Sequence, residues 1–252
     1  MSGHSKWANI KHRKEGVDKK RGMAFTKISR ELMVSSRLGG SDPAMNARLR
    51  IAVSKARALN MPRDTIERAI KKGAGELEGQ TFEEILYEVY APGGVGIIVE
   101  ALTDKKSRTT PEIKSMLTRF HASLAEANAV SRLFKKCGYI SLSVDQIGED
   151  DLMEMVIEAG ADDMKTIDGF YEIITSMETY AQVQEKLAGK SLQTRESAIK
   201  YIPLEGTEVS VDDPEKAQKL LKLLDSLEEN DDVQAVYHNA TVSDEVAEKL
   251  EV

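Results

Sequence analysis

The side chains with the clearest chemical potential are cations, and they gather at the front of the chain. Lys6, Lys11, Arg13, Lys14, Lys19, Lys20 and Arg21 crowd into 16 positions, opposed only by Glu15 and Asp18. Well-spaced cations suit a phosphate backbone, because each neutralised phosphate releases a condensed counterion. Trp7 and His12 lie inside the cluster. Trp7 has two readings: an aromatic among cations stacks on an unpaired base, for roughly 1–3 kcal/mol, or it anchors the segment on apolar neighbours. Lys27, Arg30 and Arg37 follow, then two pairs one heptad apart, Arg48 with Lys55 and Arg50 with Arg57, which on a helix form two basic ridges. The candidate nucleic-acid-binding set is Lys6, Trp7, Lys11, His12, Arg13, Lys14, Lys19, Lys20, Arg21, Lys27, Arg30, Arg48 and Arg50. Asp64 with Arg68 and Glu67 with Lys71 read instead as helix-stabilising i,i+4 pairs.

Other chemistries find little support. The four histidines, His4, His12, His121 and His238, make no HxxxH pair, and Cys137 is the single cysteine, so neither a zinc cluster nor an intrachain disulfide is expected. No G-x-S-x-G elbow occurs. The run Ala91-Pro92-Gly93-Gly94-Val95-Gly96 has glycines enough for a phosphate loop but sits between two strand-like stretches, where a hairpin turn is expected. Lys105, Lys106 and Arg108 beyond it either extend a basic surface or belong to an exposed loop. We expect no enzyme, no cofactor, no metal and no small-molecule substrate. With no run of 18 apolar residues and no apolar leader, no membrane association is expected, and the cytoplasm is the expected location.

These cations need elements to hold them. Residues 1–22 have few apolar side chains and read as an arm. Three helices follow: one over about 23–37 with Phe25, Ile28 and Leu32 on a stripe; one started by Ser41-Asp42-Pro43, with Met45, Leu49, Ala52, Ala56 and Leu59 on one face; and one opened by Pro62. From about residue 80 the period changes to strands and helices alternating: a strand–turn–strand, a helix over 109–122, a strand over 132–143, a helix over 150–159, strands near 165–168 and 169–175, a helix over 178–188, a strand over 197–202, a helix from Asp213 to about 228, and a last strand in "DDVQAVYHNATV". The fold class is α+β, a basic helical unit followed by two hairpin-and-helix units.

The charge balance divides the chain in the same place. Residues 1–72 hold 18 Lys and Arg against 6 Asp and Glu, while the whole chain of 252 residues carries a formal −7. A strongly basic front on an acidic body points to a polyanion that only the front engages.

The stretches "GHSKWANIKHRK", "FTKISREL", "RLGGSDP", "ARLR", "NMPRDTIERAIKKGAGEL", "VYAPGGVGIIVEALTD" and "DVQAVYHN" are spread from residue 3 to about 239. In them the chain resembles the YebC/PmpR family, which includes the mitochondrial translational activator of cytochrome c oxidase. The resemblance implies three domains: a helical one over 1–78, a discontinuous α+β one over 79–130 and 204–252, and a ferredoxin-like α+β one inserted over 131–203. It also implies a non-enzymatic regulator of gene expression, with DNA as the first expected partner and ribosomal RNA on the ribosome as the second, the latter in relieving stalling at proline-rich stretches. One departure stands out: where the family commonly has a glycine-rich, acid-containing stretch, this chain reads "HASLAEANAVSRLF", with Ala, Ser and Asn in place of most of the glycines.

Overall fold

The computed structural model of the chain describes residues 17–250; the side chains of residues 17–21 and 244 lie outside that description. Three helices come first, α1 (Val17–Gly39), α2 (Ala47–Ala58) and α3 (Arg63–Gly73). Ile28, Leu32, Leu49, Ala52, Ala56 and Ile66 close their common core. The packing of α3 on α1 depends on glycine. A Cβ on Gly73 would lie 2.2 Å from the Met33 carbonyl oxygen, so any side chain there forces the helices apart.

Two expectations need correction here. The helix expected from residue 23 begins at Val17, so Lys19, Lys20 and Arg21 belong to α1 and not to an arm. A helix nucleated by its buried stripe continues through Lys and Arg, which are good helix formers. Ser41-Asp42-Pro43 does not start α2. Asn46 is its N-cap, accepting from the Leu49 amide, while Asp42 caps only a tight turn through the Ala44 amide. Met45 therefore lies outside the helix and is 84% exposed, and Leu59 is also exposed.

Beyond residue 82 the chain builds two antiparallel sheets. β1 (Glu83–Ala91) and β2 (Val95–Thr103) form a hairpin whose turn holds Gly93 and Gly94 at φ of 86° and 83°. The run of glycines thus serves a turn in the left-handed region, which favours glycine. α4 (Lys106–Arg119) starts three residues earlier than the spacing suggests, and β3 (Ser123–Leu124) follows it. The chain next makes β4 (Phe134–Ser143), α5 (Glu149–Glu158), β5 (Ala161–Ile167), β6 (Phe170–Thr175), α6 (Tyr180–Gly189) and β7 (Thr194–Pro203). These pair in the order β5-β6-β4-β7, the βαββαβ arrangement of ferredoxin-like folds. After β8 (Val209–Ser210) and α7 (Pro214–Glu228), β9 (Val233–His238) returns to the first sheet, whose order is β3-β1-β2-β9. β10 (Ala240–Thr241) pairs in parallel with β8, and α8 (Asp244–Leu250), an element absent from the sequence reading, packs on α7. The fold is α+β.

The first sheet is covered on both faces. Val89, Ile97, Val99 and Val233 meet Ile113 and Leu117 of α4 and the leucines of α7. On the other face, Leu102 meets Val34 of α1 at one end, and Ile98 meets Phe134 at the other. Both the helical bundle and the second sheet thus lean on the strands that position α1.

Candidate nucleic-acid interface

α1 packs on one end of the first sheet, beside Phe82 and Leu102, and its mid-helix cations face inward. The Lys27 ammonium donates to the Glu228 carbonyl at 2.7 Å. That carbonyl is in the last turn of α7, where backbone acceptors lack intrahelical donors and a cation is favoured. One turn along α1, Arg30 donates to the Asp231 carbonyl and pairs with the Asp232 carboxylate at 2.9 Å, its guanidinium 5.5 Å from the Phe82 ring centroid.

Asp232 is a hub. Its side chain is 3% exposed. It accepts from Thr109 Oγ1 at 2.5 Å and from Arg108 at 2.7 Å, in addition to Arg30. Burial alone would raise its carboxyl. The bonds from Thr109 and Arg108 and the charge of Arg30 outweigh burial and hold it below the ordinary range. One carboxylate thus ties α1, the first turns of α4 and the start of β9 together.

Arg48 is engaged in the same way. Its guanidinium pairs with Glu31 at 2.7 Å and with Glu84 on β1. Burial opposes its charge, but the two carboxylates more than compensate and raise its pKa. Lys27, Arg30 and Arg48 therefore hold the helical bundle on the first sheet. Each already faces a carboxylate or carbonyl of the chain itself, which sets these three apart from the cations open to a phosphate.

Other cations face outward. Arg50, Lys55, Arg57, Lys71 and Lys72 are exposed. Arg50 reaches only the carbonyls of Pro43 and Ala44, at 3.4 and 3.3 Å. Lys55, Arg57 and Lys72 make no ion pair among the described residues. In α3 the pairing differs from the expected one: Glu67 joins Arg63 at 2.7 Å, rather than Lys71. The Arg63 hydrogen bond lowers the exposed Glu67 carboxyl. Lys6, Trp7, Lys11, His12, Arg13 and Lys14 lie outside the described residues, as do the side chains of Lys19, Lys20 and Arg21.

Residue spacing gave no warning of the Asp232 hub or of a second buried acid, Glu88. The Glu88 carboxylate accepts from the amides of Asn128, Val130 and Ser131 at 2.7, 2.6 and 2.7 Å, and from Ser131 Oγ at 3.2 Å. Burial pushes this carboxyl up, and the three amides pull it down further. It pins the alanine-rich stretch 125–131 against β1. The only hint in the sequence is an acid inside an apolar strand, which must find donors. Glu100 has a similar place at the seam between the sheets, paired with Lys136 at 2.9 Å and accepting from Tyr237 at 3.2 Å.

An open groove of about 660 Å³ runs between the ends of α1 and α3 and the linker to β1, with Arg37, Lys72 and Glu76 along it. Among the described residues no group of three or more His, Cys, Asp or Glu is placed to hold a metal ion, and no helix is long and apolar enough to cross a membrane.

Relatives share this organisation. The family model for the TACO1/YebC protein N-terminal domain matches residues 5–76, and that for the TACO1/YebC second and third domain matches residues 82–240. A protein of Leptospira biflexa named probable transcriptional regulatory protein is 55% identical over 239 residues, covering 95% of this chain and 96% of the relative. One of the same name from Persephonella marina is 48% identical over 251 residues, covering 99% of this chain and all of the relative. The crystal structure of a conserved hypothetical protein from Aquifex aeolicus superposes with a TM-score of 0.81 at 43% identity, covering 91% of this chain and 93% of that one. Matched along nearly its whole length, in sequence and in fold, the chain belongs to the TACO1/YebC family.

Proposed function

We propose that this protein is a non-enzymatic, nucleic-acid-binding regulator of gene expression, most directly a DNA-binding regulator of transcription. The observation that carries the reading is the segregation of charge: 18 cations against 6 acids in residues 1–72, on a chain that is net negative overall. The relatives' name, probable transcriptional regulatory protein, supports the same role. In this reading the basic unit is residues 1–78. It sits on a body of residues 79–130 and 204–252, into which residues 131–203 are inserted. Lys6, Trp7, Lys11, His12, Arg13, Lys14, Lys19, Lys20 and Arg21 make the main contact, and Arg50, with the ridge toward Arg57, adds cations on the second helix of the same unit.

Contacts of this kind go mostly to the phosphate backbone. α3 is poorly suited as a base-reading helix, because Asp64 and Glu67 are exposed in its first two turns and repel phosphates. Sequence preference is therefore modest. The second reading, a factor acting on ribosomal RNA, is favoured by Trp7, the one tryptophan, lying among cations where an unpaired base can stack on it. Crosslinking in cells, followed by sequencing of both DNA and RNA, tests the two. Enrichment of promoter DNA supports the first and enrichment of ribosomal RNA the second. Recovery of neither above a mock-purified control overturns both.

A further inference from the structure

The two most exposed large apolar side chains among the described residues, Met45 at 84% and Leu38 at 64%, fall within eight residues of each other at the junction of α1 and α2. A single exposed leucine needs no explanation. Two on one turn of a basic unit do, and this turn is tightly built. The Gly40 amide donates to the Ser36 carbonyl at 2.9 Å, with φ of 88° at Gly40, closing α1 in the manner of a glycine C-cap. The Asn46 side chain donates to the carbonyls of Ser35 and Gly40, both at 2.8 Å, and accepts from the Leu49 amide at 3.0 Å. Asp42 accepts from the Ala44 amide with its side chain and from the Met45 amide with its carbonyl. A Cβ on Gly39 would lie 2.7 Å from Asn46 Nδ2, so the glycine admits the asparagine. Met45 is thus held outward by a hydrogen-bonded frame.

The surroundings of the turn are cationic. Arg50 lies against the carbonyls of Pro43 and Ala44, the two residues before Met45. Arg37 precedes Leu38 and is exposed, reaching only the Phe82 carbonyl at 3.4 Å. The one acid of the turn, Asp42, is occupied with the Ala44 amide.

We propose that this turn is a second nucleic-acid contact, in which Met45 and Leu38 lie against base faces while Arg37 and Arg50 hold the adjoining phosphates. Apolar tips between cations match a surface whose apolar base faces are flanked by phosphates, and proteins that unstack base steps use such wedges. The proposal rests on the nucleic-acid reading above and adds to it a place where bases, and not phosphates alone, are touched. α1 carries this turn about 33 Å from Val17 at 1.5 Å per residue, close to one turn of duplex. Between the two, Lys27 and Arg30 face the body.

The test uses the full chain and its Leu38→Ser/Met45→Ser variant. Each is titrated at several salt concentrations against a duplex and a hairpin RNA carrying 2-aminopurine. The double variant is expected to bind roughly tenfold more weakly with the salt slope unchanged, and to lose the 2-aminopurine fluorescence change of the wild type. Arg50→Ala is expected to reduce the slope by about 0.9 on duplex. Circular dichroism and the unfolding midpoint should match wild type, since both apolar side chains are exposed. Wild-type affinity and fluorescence in the double variant, with weaker binding on loss of residues 1–16, would overturn the proposal and leave the nucleic-acid reading standing. Absence of binding by the wild-type chain to either probe would remove both.

Discussion

Arg48 and Arg50 are two residues apart on the same helix and carry the same charge, yet they belong to different parts of the molecule's economy of charge. Arg48 pairs with Glu31 and Glu84 and fastens the helical bundle to the first sheet. Arg50 points to solvent with only two backbone carbonyls near it. The same contrast separates Lys27 and Arg30 from Lys55 and Arg57. A count of cations treats the two sets alike. Their partners show that one set sets the bundle's position and the other is available to a ligand, so net charge overstates the surface offered to a polyanion.

Breaking this contrast should give effects on different observables. The largest is expected on binding. Removing Lys11, Arg13 and Lys14 together should weaken nucleic-acid affinity roughly a hundredfold at physiological salt and reduce the salt slope by about 0.9 per cation on duplex, without changing the unfolding midpoint; an unchanged slope would show that they touch no phosphate. Asp232→Ala should act on the other side of the contrast. It strands Arg30 beside a buried site and should cost about 3 kcal/mol of stability in denaturant unfolding, while the salt slope stays as in wild type. A loss of slope equal to that of the cation variants would mean that the hub does more than hold α1.

A smaller pair of effects sharpens the contrast within α2. Arg48→Ala should lower stability by about 1 kcal/mol, the range for a partly exposed pair, and leave binding unchanged. Arg50→Ala should do the reverse, weakening binding a few-fold with no change in stability. Acid should reveal the two buried carboxylates. Asp232 and Glu88 both titrate below their ordinary values in the folded chain. Their stabilisation is therefore complete above the ordinary carboxyl range, near pH 4, and is lost as pH falls through it toward the depressed values. Glu88→Gln should flatten part of that acid limb, because an amide has no proton to take up; an unchanged acid limb would place the pH dependence elsewhere.

Much of the fold could be read from local pattern. The apolar stripe through Ile28 and Leu32, the Asp213 cap of α7 and the glycine turn between β1 and β2 each express a rule acting over a few residues. Local pattern is ambiguous where two local rules compete. Asp42 and Asn46 are both good helix caps, and only the fit of Asn46 against Gly39 decides between them. The start of α1 is not marked by the apolar pattern, because residues 18–22 hold no apolar side chain. The family and the basic front of the chain were likewise legible in residue types alone.

Which cations are available was not legible, and the reason is distance along the chain. Arg30 meets Asp232 about 200 positions away, and Arg108 meets the same carboxylate across more than 120. No spacing rule reaches that far. By itself the sequence determined that the N-terminal part is basic and helical, because charge and periodicity are local properties of residue order. The tertiary structure alone decided that Lys27, Arg30 and Arg48 turn inward while Met45, Leu38 and Arg50 turn outward, because an ion pair forms wherever folding brings opposite charges together, whatever their separation in the chain.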